Sequence, residues 1–324
     1  MLAVVCPGQG SQSPGFLRPW LELPGTAERL AGFSEAAGVD LVRHGTESDA
    51  TTIRDTAVAQ PLIVAASLVA LRALLDGRAA VDVVDATAGH SVGELAAAAV
   101  AGVLDDADAV GLVAHRARSM AAAAALEPTG MSAVVGGDLE AVLSAIEAVG
   151  LYAANVNGGG QVVAAGALDA LAALAGDPPP RTRVVPLQVA GAFHTPYMQP
   201  AQEGFAPVAA SWPAHDPALP LLSDADGSVY PAHHGCPFGR GKDVLRRLAE
   251  QVVAPVRWDL CQQTLAGIGV TGLVELAPAG ILTGLARRAL PGVETVALST
   301  PADLDAARDL VRRHTTPRTE EAPA

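Results

Sequence analysis

The chain of 324 residues contains little cysteine and little lysine, and both shortages exclude classes of protein. Cys6, Cys236 and Cys261 are odd in number and far apart, which argues against a disulfide framework and favours a reducing, cytoplasmic location. Lys242 is the only lysine, and the net charge is -13. Because neutralising phosphate groups requires a basic face, this charge argues against a nucleic-acid binder.

Long apolar runs are also missing. The N-terminal stretch "MLAVVCPGQG" has an apolar run of about five residues with no basic residue before it, which is too short for a signal peptide. No uninterrupted apolar segment approaches the roughly 20 residues of a membrane span. We therefore expect a protein that does not associate with membranes.

Hydrophobic residues are plentiful, at 50% of the chain, which predicts one large domain plus a smaller one. Short valine-rich runs indicate buried strands, and longer apolar runs indicate helices, one of them with Pro61 at its first position. The strands are predicted over 2–6, 81–89 and 272–280, and the helices over 62–75, 94–104 and 281–290. Strands that alternate with helices in this way predict an α/β fold with a parallel sheet.

The pattern changes between residues 129 and 189. The predicted elements there follow the order β-α-β-β-α-β, which is the ferredoxin-like arrangement, and about 60 residues are enough for it. We interpret this segment as a small domain inserted in a large domain formed by residues 1–128 and 190–314. Residues 315–324, "TTPRTEEAPA", are polar and contain proline, so they predict a disordered tail.

The stretch "ATAGHSVGELAAA" places Ser91 between Gly89 and Gly93, after a predicted strand and before a predicted helix. This is the pattern and the context of a nucleophile elbow, in which the glycines allow a strained turn that exposes the serine hydroxyl. The backbone N–H of Val92 would then point toward a developing oxyanion at the helix N-terminus. The alternative is a serine that caps the helix, with incidental glycines.

A serine nucleophile needs a base, and the chain has eight histidines. His90 is adjacent to Ser91 in the predicted turn, so we interpret it as structural. His233 and His234, in "PAHHGCPFGRG", resemble part of a metal site but lack a fourth ligand at suitable spacing, so a loop is the better interpretation. His194, in "VAGAFHTPYM", is either a buried core residue or a base facing the site, and spacing does not choose between them. His44, His115, His215 and His314 lie in polar or helical surroundings and are interpreted as solvated.

The segment "CPGQGSQSPG" begins like a dinucleotide-binding fingerprint, with Gly8 and Gly10 after the first strand. The third glycine of that pattern would fall at Ser13, so the fingerprint fails. The loop can still present backbone N–H groups where ligands of open α/β sheets bind.

Six motifs occur in the order found in malonyl-CoA:acyl-carrier-protein transacylases and in the acyltransferase domains of polyketide synthases, which the chain resembles from residue 2 to about residue 313. They are "PGQGSQ", "GHSVGE", "HRARSM", "NVNGGGQVVAAG", "GAFHTPYM" and "QVVAPVRW". The resemblance implies an α/β-hydrolase-like core, a ferredoxin-like small domain and a ping-pong acyl transfer. The length is similar to that of discrete bacterial enzymes of this family.

Carried over position by position, the resemblance implies that Ser91 is the nucleophile and His194 its base. It also implies that the N–H groups of Gln9 and Val92 form the oxyanion hole. Arg116, in "HRARSM", matches the arginine that pairs with the malonyl carboxylate. A guanidinium suits that task because it stays charged and can grip a carboxylate with two parallel hydrogen bonds. The alternative for Arg116 is a surface arginine, as we expect for Arg118.

Other positions follow from the same resemblance. The histidine is oriented in this family by backbone carbonyl contacts rather than by an acidic residue, so Gln251 is a candidate supporter of His194. Gln60 matches a glutamine that lines the site. Phe193 resembles the residue that accompanies malonyl rather than methylmalonyl specificity, and Val92 is of the same type. Asp224, in "SDADG", departs from relatives that often carry asparagine, and we expect it to be peripheral.

The resemblance implies malonyl-CoA and a holo acyl carrier protein as partners, in fatty-acid or polyketide synthesis. It implies no metal and no cofactor of the enzyme's own, and a monomer. Alternatives are a serine hydrolase on the same elbow, a transferase of another acyl-CoA such as methylmalonyl-CoA, and a scaffold without turnover. Because carrier proteins are acidic, docking would need a local basic patch. Its candidates are Arg181, Arg183, Lys242, Arg246, Arg247, Arg287 and Arg288.

Overall fold

The computed structural model describes residues 1–189, 191–233 and 235–315, which fold around two separate β-sheets. The strands are β1 (Leu2–Cys6), β2 (Ala86–Gly89), β3 (Thr129–Gly136), β4 (Tyr152–Gly158), β5 (Gln161–Ala167), β6 (Thr182–Pro186), β7 (Gly272–Glu275) and β8 (Glu294–Ala297). The α-helices are α1 (Thr26–Ala37), α2 (Leu41–Thr46), α3 (Thr56–Leu75), α4 (Gly93–Val100), α5 (Asp106–Ala124), α6 (Leu139–Ala148), α7 (Leu168–Gly176), α8 (Gln199–Ser211), α9 (Gly241–Glu250), α10 (Trp258–Gly267), α11 (Ile281–Ala289) and α12 (Leu304–His314).

The first sheet is parallel and forms the centre of the larger part of the molecule. Its strand order is β2-β1-β7-β8, and β1, β2 and β7 are buried along their whole length. Burial on both faces explains why these strands are mostly apolar rather than alternating, with Thr87 and Glu275 as buried exceptions. The α/β fold with a parallel sheet that the sequence predicts is therefore confirmed.

The second sheet is antiparallel and has the order β4-β5-β3-β6. Along the chain its elements follow β3-α6-β4-β5-α7-β6, as expected for the ferredoxin-like arrangement. They run from Thr129 to Pro186, inside the predicted small-domain range of 129–189. The two helices pack a small core of their own against the strands, which includes Val134, Ile146 and Leu174.

Two predicted boundaries differ from the structure. The strand predicted over 81–89 begins only at Ala86, because residues 80–82 form a 3-10 turn and the Asp85 carboxylate accepts the Leu2 N–H at 2.7 Å. The helix predicted to open at Pro61 begins at Thr56 instead. Asp55 caps it by accepting the Ala57 N–H at 2.8 Å, a stronger start signal than the proline.

Helix α3 is apolar over most of its length, but Gln60 and Arg72 interrupt it, so it does not contradict the expectation that no uninterrupted apolar segment approaches the length of a membrane span. Within the described residues, it is the one helix that is long and apolar enough to cross a membrane, with 20 residues and a mean hydropathy of 1.9. The fold explains its composition, because 83% of the 18-residue stretch of α3 with this hydropathy is buried inside the protein. A helix that is hydrophobic on every side is expected in the core of a protein of this size.

Candidate active site

Ser91 lies in the sharp turn between β2 and α4, with a left-handed φ of 55°. A Cβ on Gly89 would lie 2.0 Å from the backbone of Gly93, and one on Gly93 would lie 2.2 Å from the Cys6 carbonyl oxygen. Both positions therefore require glycine if the helix is to start this close to β1. Since α4 has no side-chain cap, the geometry is that of an elbow and not of a capping serine.

His194 is the side chain that contacts the Ser91 hydroxyl, although 103 residues separate the two. Its Nε2 lies 2.7 Å from Ser91 Oγ, and its Nδ1 lies 3.1 Å from the Gln251 carbonyl oxygen. A proton on Nδ1 can be donated only to that carbonyl, which leaves Nε2 free to accept from the serine. The Gln251 side-chain Nε2 also lies 3.1 Å from Nδ1, but it cannot donate to a protonated nitrogen.

The surroundings of His194 keep its ring neutral. The side chain is buried, and burial, together with the positive charge of Arg116, lowers the pKa of His194 to about 3. Its backbone has a left-handed φ of 61°, and the turn is held by Thr195 Oγ1, which donates to the Ala192 carbonyl at 2.6 Å. A neutral, fixed imidazole against a serine hydroxyl is suited to accept a proton.

Gln9 and Val92, the two predicted oxyanion-hole residues, line the same cavity as Ser91. The loop that contains Gln9 follows β1, and Val92 occupies the N-cap position of α4. Within the described residues, the backbone N–H of neither residue donates to a protein acceptor. Unpaired donors at a helix N-terminus favour negative charge, as an oxyanion hole requires.

Arg116, on α5, has a buried guanidinium, and its hydrogen-bond partners among the described residues are all neutral. Its side chain is 1% exposed, Nη1 donates to Gln60 Oε1 at 2.7 Å, and Nη2 donates to Gln251 Oε1 at 3.0 Å. Nη2 also lies 3.4 Å from Ser91 Oγ. No carboxylate in the described part of the chain forms an ion pair with it. Burial lowers the pKa of Arg116 to about 10, so the group stays charged at neutral pH. By contrast, Arg118 is exposed and donates to a backbone carbonyl.

A cavity of about 280 Å³ opens in front of Ser91 and lies between the two sheets. The large part of the molecule contributes Gln60, Phe193 and the N-terminal half of α11, and the small sheet contributes polar residues such as Asn157. The lining is mostly apolar with a few convergent polar groups, as is usual for a site that binds a small molecule. All eight predicted site residues therefore lie at this cavity or contact residues that line it.

Comparisons with known proteins agree with this geometry. The acyl transferase domain family matches residues 3–226. A malonyl CoA-acyl carrier protein transacylase of Mycobacterium tuberculosis is 51% identical over 94% of this chain and 98% of its own length. This chain belongs to the malonyl CoA-acyl carrier protein transacylase family.

Solved structures place the family fold over nearly the whole chain. The crystal structure of MCAT from Mycobacterium tuberculosis matches with a TM-score of 0.89 and 51% identity, and the match covers 95% of this chain and 99% of the other. A malonyl-transacylase solved in complex with its type II polyketide acyl-carrier protein matches with a TM-score of 0.85 and 28% identity. That match covers 95% of this chain and 99% of the other.

Three further histidines, His90, His233 and His234, are interpreted from the sequence as structural or loop residues. His90 Nε2 lies 2.8 Å from Asn157 Oδ1, so it joins the elbow to the small sheet and lines the cavity. His233 pairs through its backbone with Cys236, and His234 lies outside the described residues. No group of three or more potential metal ligands occurs in the described ranges. Most of the predicted tail, from residue 316 onward, also lies outside them.

The prediction that Asp224 is peripheral was wrong. The residue is 0% exposed and its Oδ2 accepts the backbone N–H of Ser91 at 2.6 Å, so it is not peripheral. Glu94, in the first turn of α4, accepts the backbone N–H of Asp224 at 2.9 Å. Burial raises the pKa of Asp224 to about 7 and raises that of Glu94 well above its usual range. An acidic residue directly after the elbow motif was the available signal for this buried pair.

Proposed function

We propose that this chain transfers the malonyl group of malonyl-CoA to the phosphopantetheine thiol of an acyl carrier protein through a malonyl-Ser91 ester. The observation that carries this proposal is the buried guanidinium of Arg116, which forms no ion pair with the described residues and lies 3.4 Å from Ser91 Oγ. A charged group held this close to a nucleophile, with no carboxylate of the described residues within ion-pair distance, is suited to a substrate that brings its own carboxylate. The relatives described above are malonyl CoA-acyl carrier protein transacylases, which supports the same substrate.

In the first half-reaction, His194 Nε2 takes the Ser91 proton as Oγ attacks the thioester carbonyl carbon of malonyl-CoA. The negative charge that develops on the carbonyl oxygen is stabilised by the N–H groups of Gln9 and Val92. The Gln251 carbonyl accepts from Nδ1–H and so stabilises the imidazolium. The carbon–sulfur bond then breaks, the coenzyme A sulfur receives the proton from Nε2, and the malonyl-serine ester remains.

The second half-reaction uses the same groups in reverse. His194 Nε2 takes the proton of the phosphopantetheine thiol as its sulfur attacks the ester carbonyl, and it returns the proton to Ser91 Oγ as the ester bond breaks. The acyl-carrier-protein complex of a relative supports a carrier protein as the acceptor. No step requires a cofactor of the enzyme, because the phosphopantetheine arm belongs to the partner.

Arg116 also explains preference for malonyl over acetyl groups. A malonyl carboxylate can accept two parallel hydrogen bonds from the guanidinium, whereas an acetyl group would leave that buried charge without an anion. Phe193, 5% exposed at the cavity wall, limits the space for a substituent on the malonyl group. This arrangement supports malonyl-CoA rather than methylmalonyl-CoA as the substrate.

The experiment that tests this function is an intact-mass measurement after incubation with malonyl-CoA. We expect a malonyl adduct on the wild-type chain, no adduct on Ser91→Ala, and discharge of the adduct by holo acyl carrier protein. Acetyl-CoA and methylmalonyl-CoA serve as matched substrates, and both should load more slowly than malonyl-CoA.

Two other outcomes would overturn the proposal. Rapid release of free malonate without carrier protein would identify a serine hydrolase, which shares the elbow but has no use for Arg116. A chain that forms no adduct and shows no turnover would be a scaffold. A hydrolase usually orients its histidine with a carboxylate, whereas Nδ1 of His194 faces the Gln251 carbonyl, which argues for the transferase.

A further inference from the structure

The backbone of the nucleophile has an anchor that lies outside the Ser91–His194 pair. Asp224 is in the loop that follows the isolated bridge at Leu221 and Leu222, and its Oδ2 accepts the Ser91 N–H at 2.6 Å. The carboxyl group is completely buried. A side chain that comes from 133 residues farther along the chain therefore holds the residue on which the reaction occurs.

Asp224 is itself held by several contacts. Its backbone N–H donates to Glu94 Oε1 at 2.9 Å, and its carbonyl accepts from the Arg257 N–H at 2.8 Å. Cys261 Sγ lies 3.7 Å from the second carboxyl oxygen. Because the Glu94 N–H donates to the Ser91 carbonyl at 3.0 Å, Ser91, Asp224 and Glu94 form a closed hydrogen-bonded ring around the start of α4.

Ser91 needs such an anchor because of its conformation. A φ of 55° is costly for a residue with a Cβ and persists only where surrounding contacts enforce it. An N–H bond to a carboxyl group is among the stronger ways to fix the amino side of that residue. The residue held in this way has its hydroxyl 2.7 Å from His194 Nε2 and is followed by Val92, which lines the cavity.

We propose that Asp224 is a positioning residue that holds Ser91 in its strained conformation and thereby aligns both the nucleophile and one oxyanion donor. Asp224 is not among the residues that line the cavity, and it binds the backbone N–H of Ser91, so it acts through that backbone. The alignment is a property of the elbow itself and does not depend on which acyl group is carried. Only the turnover measurement below rests on the proposed function.

The test compares Asp224→Ala, Asp224→Ser and Asp224→Asn with the wild-type chain. Asparagine keeps an oxygen at the position that accepts the Ser91 N–H, whereas alanine removes it and serine is too short to reach. The first readout is the rate at which a fluorophosphonate labels Ser91, and the second is kcat and KM for malonyl-CoA. Near-ultraviolet circular dichroism establishes that each variant is folded.

We expect labelling and kcat to fall about 10- to 100-fold in the alanine and serine variants, with KM changed less than about threefold. The asparagine variant should stay within about fivefold of the wild type in both readouts. Asp216→Ala is the matched control, because Asp216 also accepts a backbone N–H, that of Gly241 at 2.9 Å, but lies outside the site. It should label at the wild-type rate.

Labelling of folded Asp224→Ser at the wild-type rate would overturn the proposal, and so would an asparagine variant as slow as the serine variant. If Asp224→Ala does not fold, the serine and asparagine variants decide the question. Failure of the proposed function has a different signature. In that case malonyl-CoA gives no adduct with the wild type, while fluorophosphonate labelling still responds to Asp224.

Discussion

Gln60 Oε1 accepts a hydrogen bond of 2.7 Å from Arg116 Nη1, so a neutral amide occupies the place where a buried guanidinium usually has a carboxylate. Both residues are almost completely buried, with exposures of 2% and 1%. The amide orients the guanidinium without neutralising it. The positive charge of Arg116 therefore remains available to an incoming anion.

Replacement of Arg116 by alanine should separate malonyl from acetyl transfer. We expect kcat/KM for malonyl-CoA to fall about 100- to 1000-fold, because a buried charge pair is lost. The value for acetyl-CoA should stay the same or rise, because acetyl no longer leaves a buried charge unpaired. Arg118→Ala, which changes an exposed arginine on the same helix, is the control and should change neither value more than twofold. An equal loss with both thioesters would contradict the proposed role.

Replacement of Gln60 by glutamate should make the enzyme block its own anion site. The new carboxylate would form an internal ion pair with Arg116 and compete with the malonyl carboxylate. We expect KM for malonyl-CoA to rise about tenfold or more. Gln202→Glu adds the same charge on α8, away from the cavity, and should leave KM unchanged. Steady-state kinetics at constant ionic strength would measure both, and an unchanged KM in Gln60→Glu would count against the site.

The buried carboxyl group of Asp224 should reduce folding stability as pH rises. Its pKa is raised from 3.8 to about 7 by burial, so between these values the folded chain keeps a proton that the unfolded chain has released. Stability from this group is complete below the lower pKa and is lost as pH rises through the upper one. We expect Asp224→Asn, which does not titrate, to gain roughly 1 to 3 kcal/mol on the wild type between pH 5 and pH 8.

Urea unfolding of both chains at the two pH values would measure this difference. Replacement of the exposed Glu35 by glutamine is the control, and its unfolding free energy should follow the wild type. A constant difference between Asp224→Asn and the wild type would show that the carboxyl group does not titrate in this range. A gain in stability together with the small loss in rate expected above would be a trade-off between stability and function.

Charge reversal at the C-terminal end of α11 should weaken carrier-protein binding. Arg287 and Arg288 are exposed, have no ion pair within the described residues, and follow the half of α11 that lines the cavity. We expect the double glutamate variant to raise KM for holo acyl carrier protein about fivefold or more at low salt, without changing KM for malonyl-CoA.

Arg246→Glu is the control for that experiment. Arg246 pairs with Glu250 at 2.8 Å, and its neighbour Arg247 pairs with Asp226 and lies over the Tyr230 ring. Because these arginines are already engaged, we expect little effect on either KM. An effect of Arg246→Glu as large as that of the double variant would place the docking surface elsewhere.

Local sterics made part of the structure predictable. The two glycines around Ser91 predict a tight turn, and the short valine-rich runs predict buried strands. The elbow and the α/β fold can therefore be predicted from residues that are neighbours in the sequence. Pro61 misled the helix boundary because a proline in an early turn resembles a start signal, although the Asp55 side chain is the actual cap.

Contacts across long separations in sequence were not predictable from patterns. Local sequence left His194 as either a buried core residue or a base facing the site, and only the family resemblance associated it with Ser91. Asp224 was misjudged for the same reason. Its importance comes from the loop that brings it next to Ser91, and from its hydrogen bond to the Ser91 backbone N–H. A bond to a backbone atom cannot be predicted from the type of the partner residue.

The group in contact with His194 Nδ1 is a main-chain carbonyl, that of Gln251, and every amino acid supplies the same atom. No codon change at position 251 can delete it. A mutational scan would therefore detect the side chains of Ser91, His194 and Arg116 but would not detect this carbonyl. Substitution of Gln251 would report on the contact of its side chain with Arg116 instead. To detect a role of this carbonyl, one would have to replace the peptide bond that contains it with an ester and follow the rate of acylation.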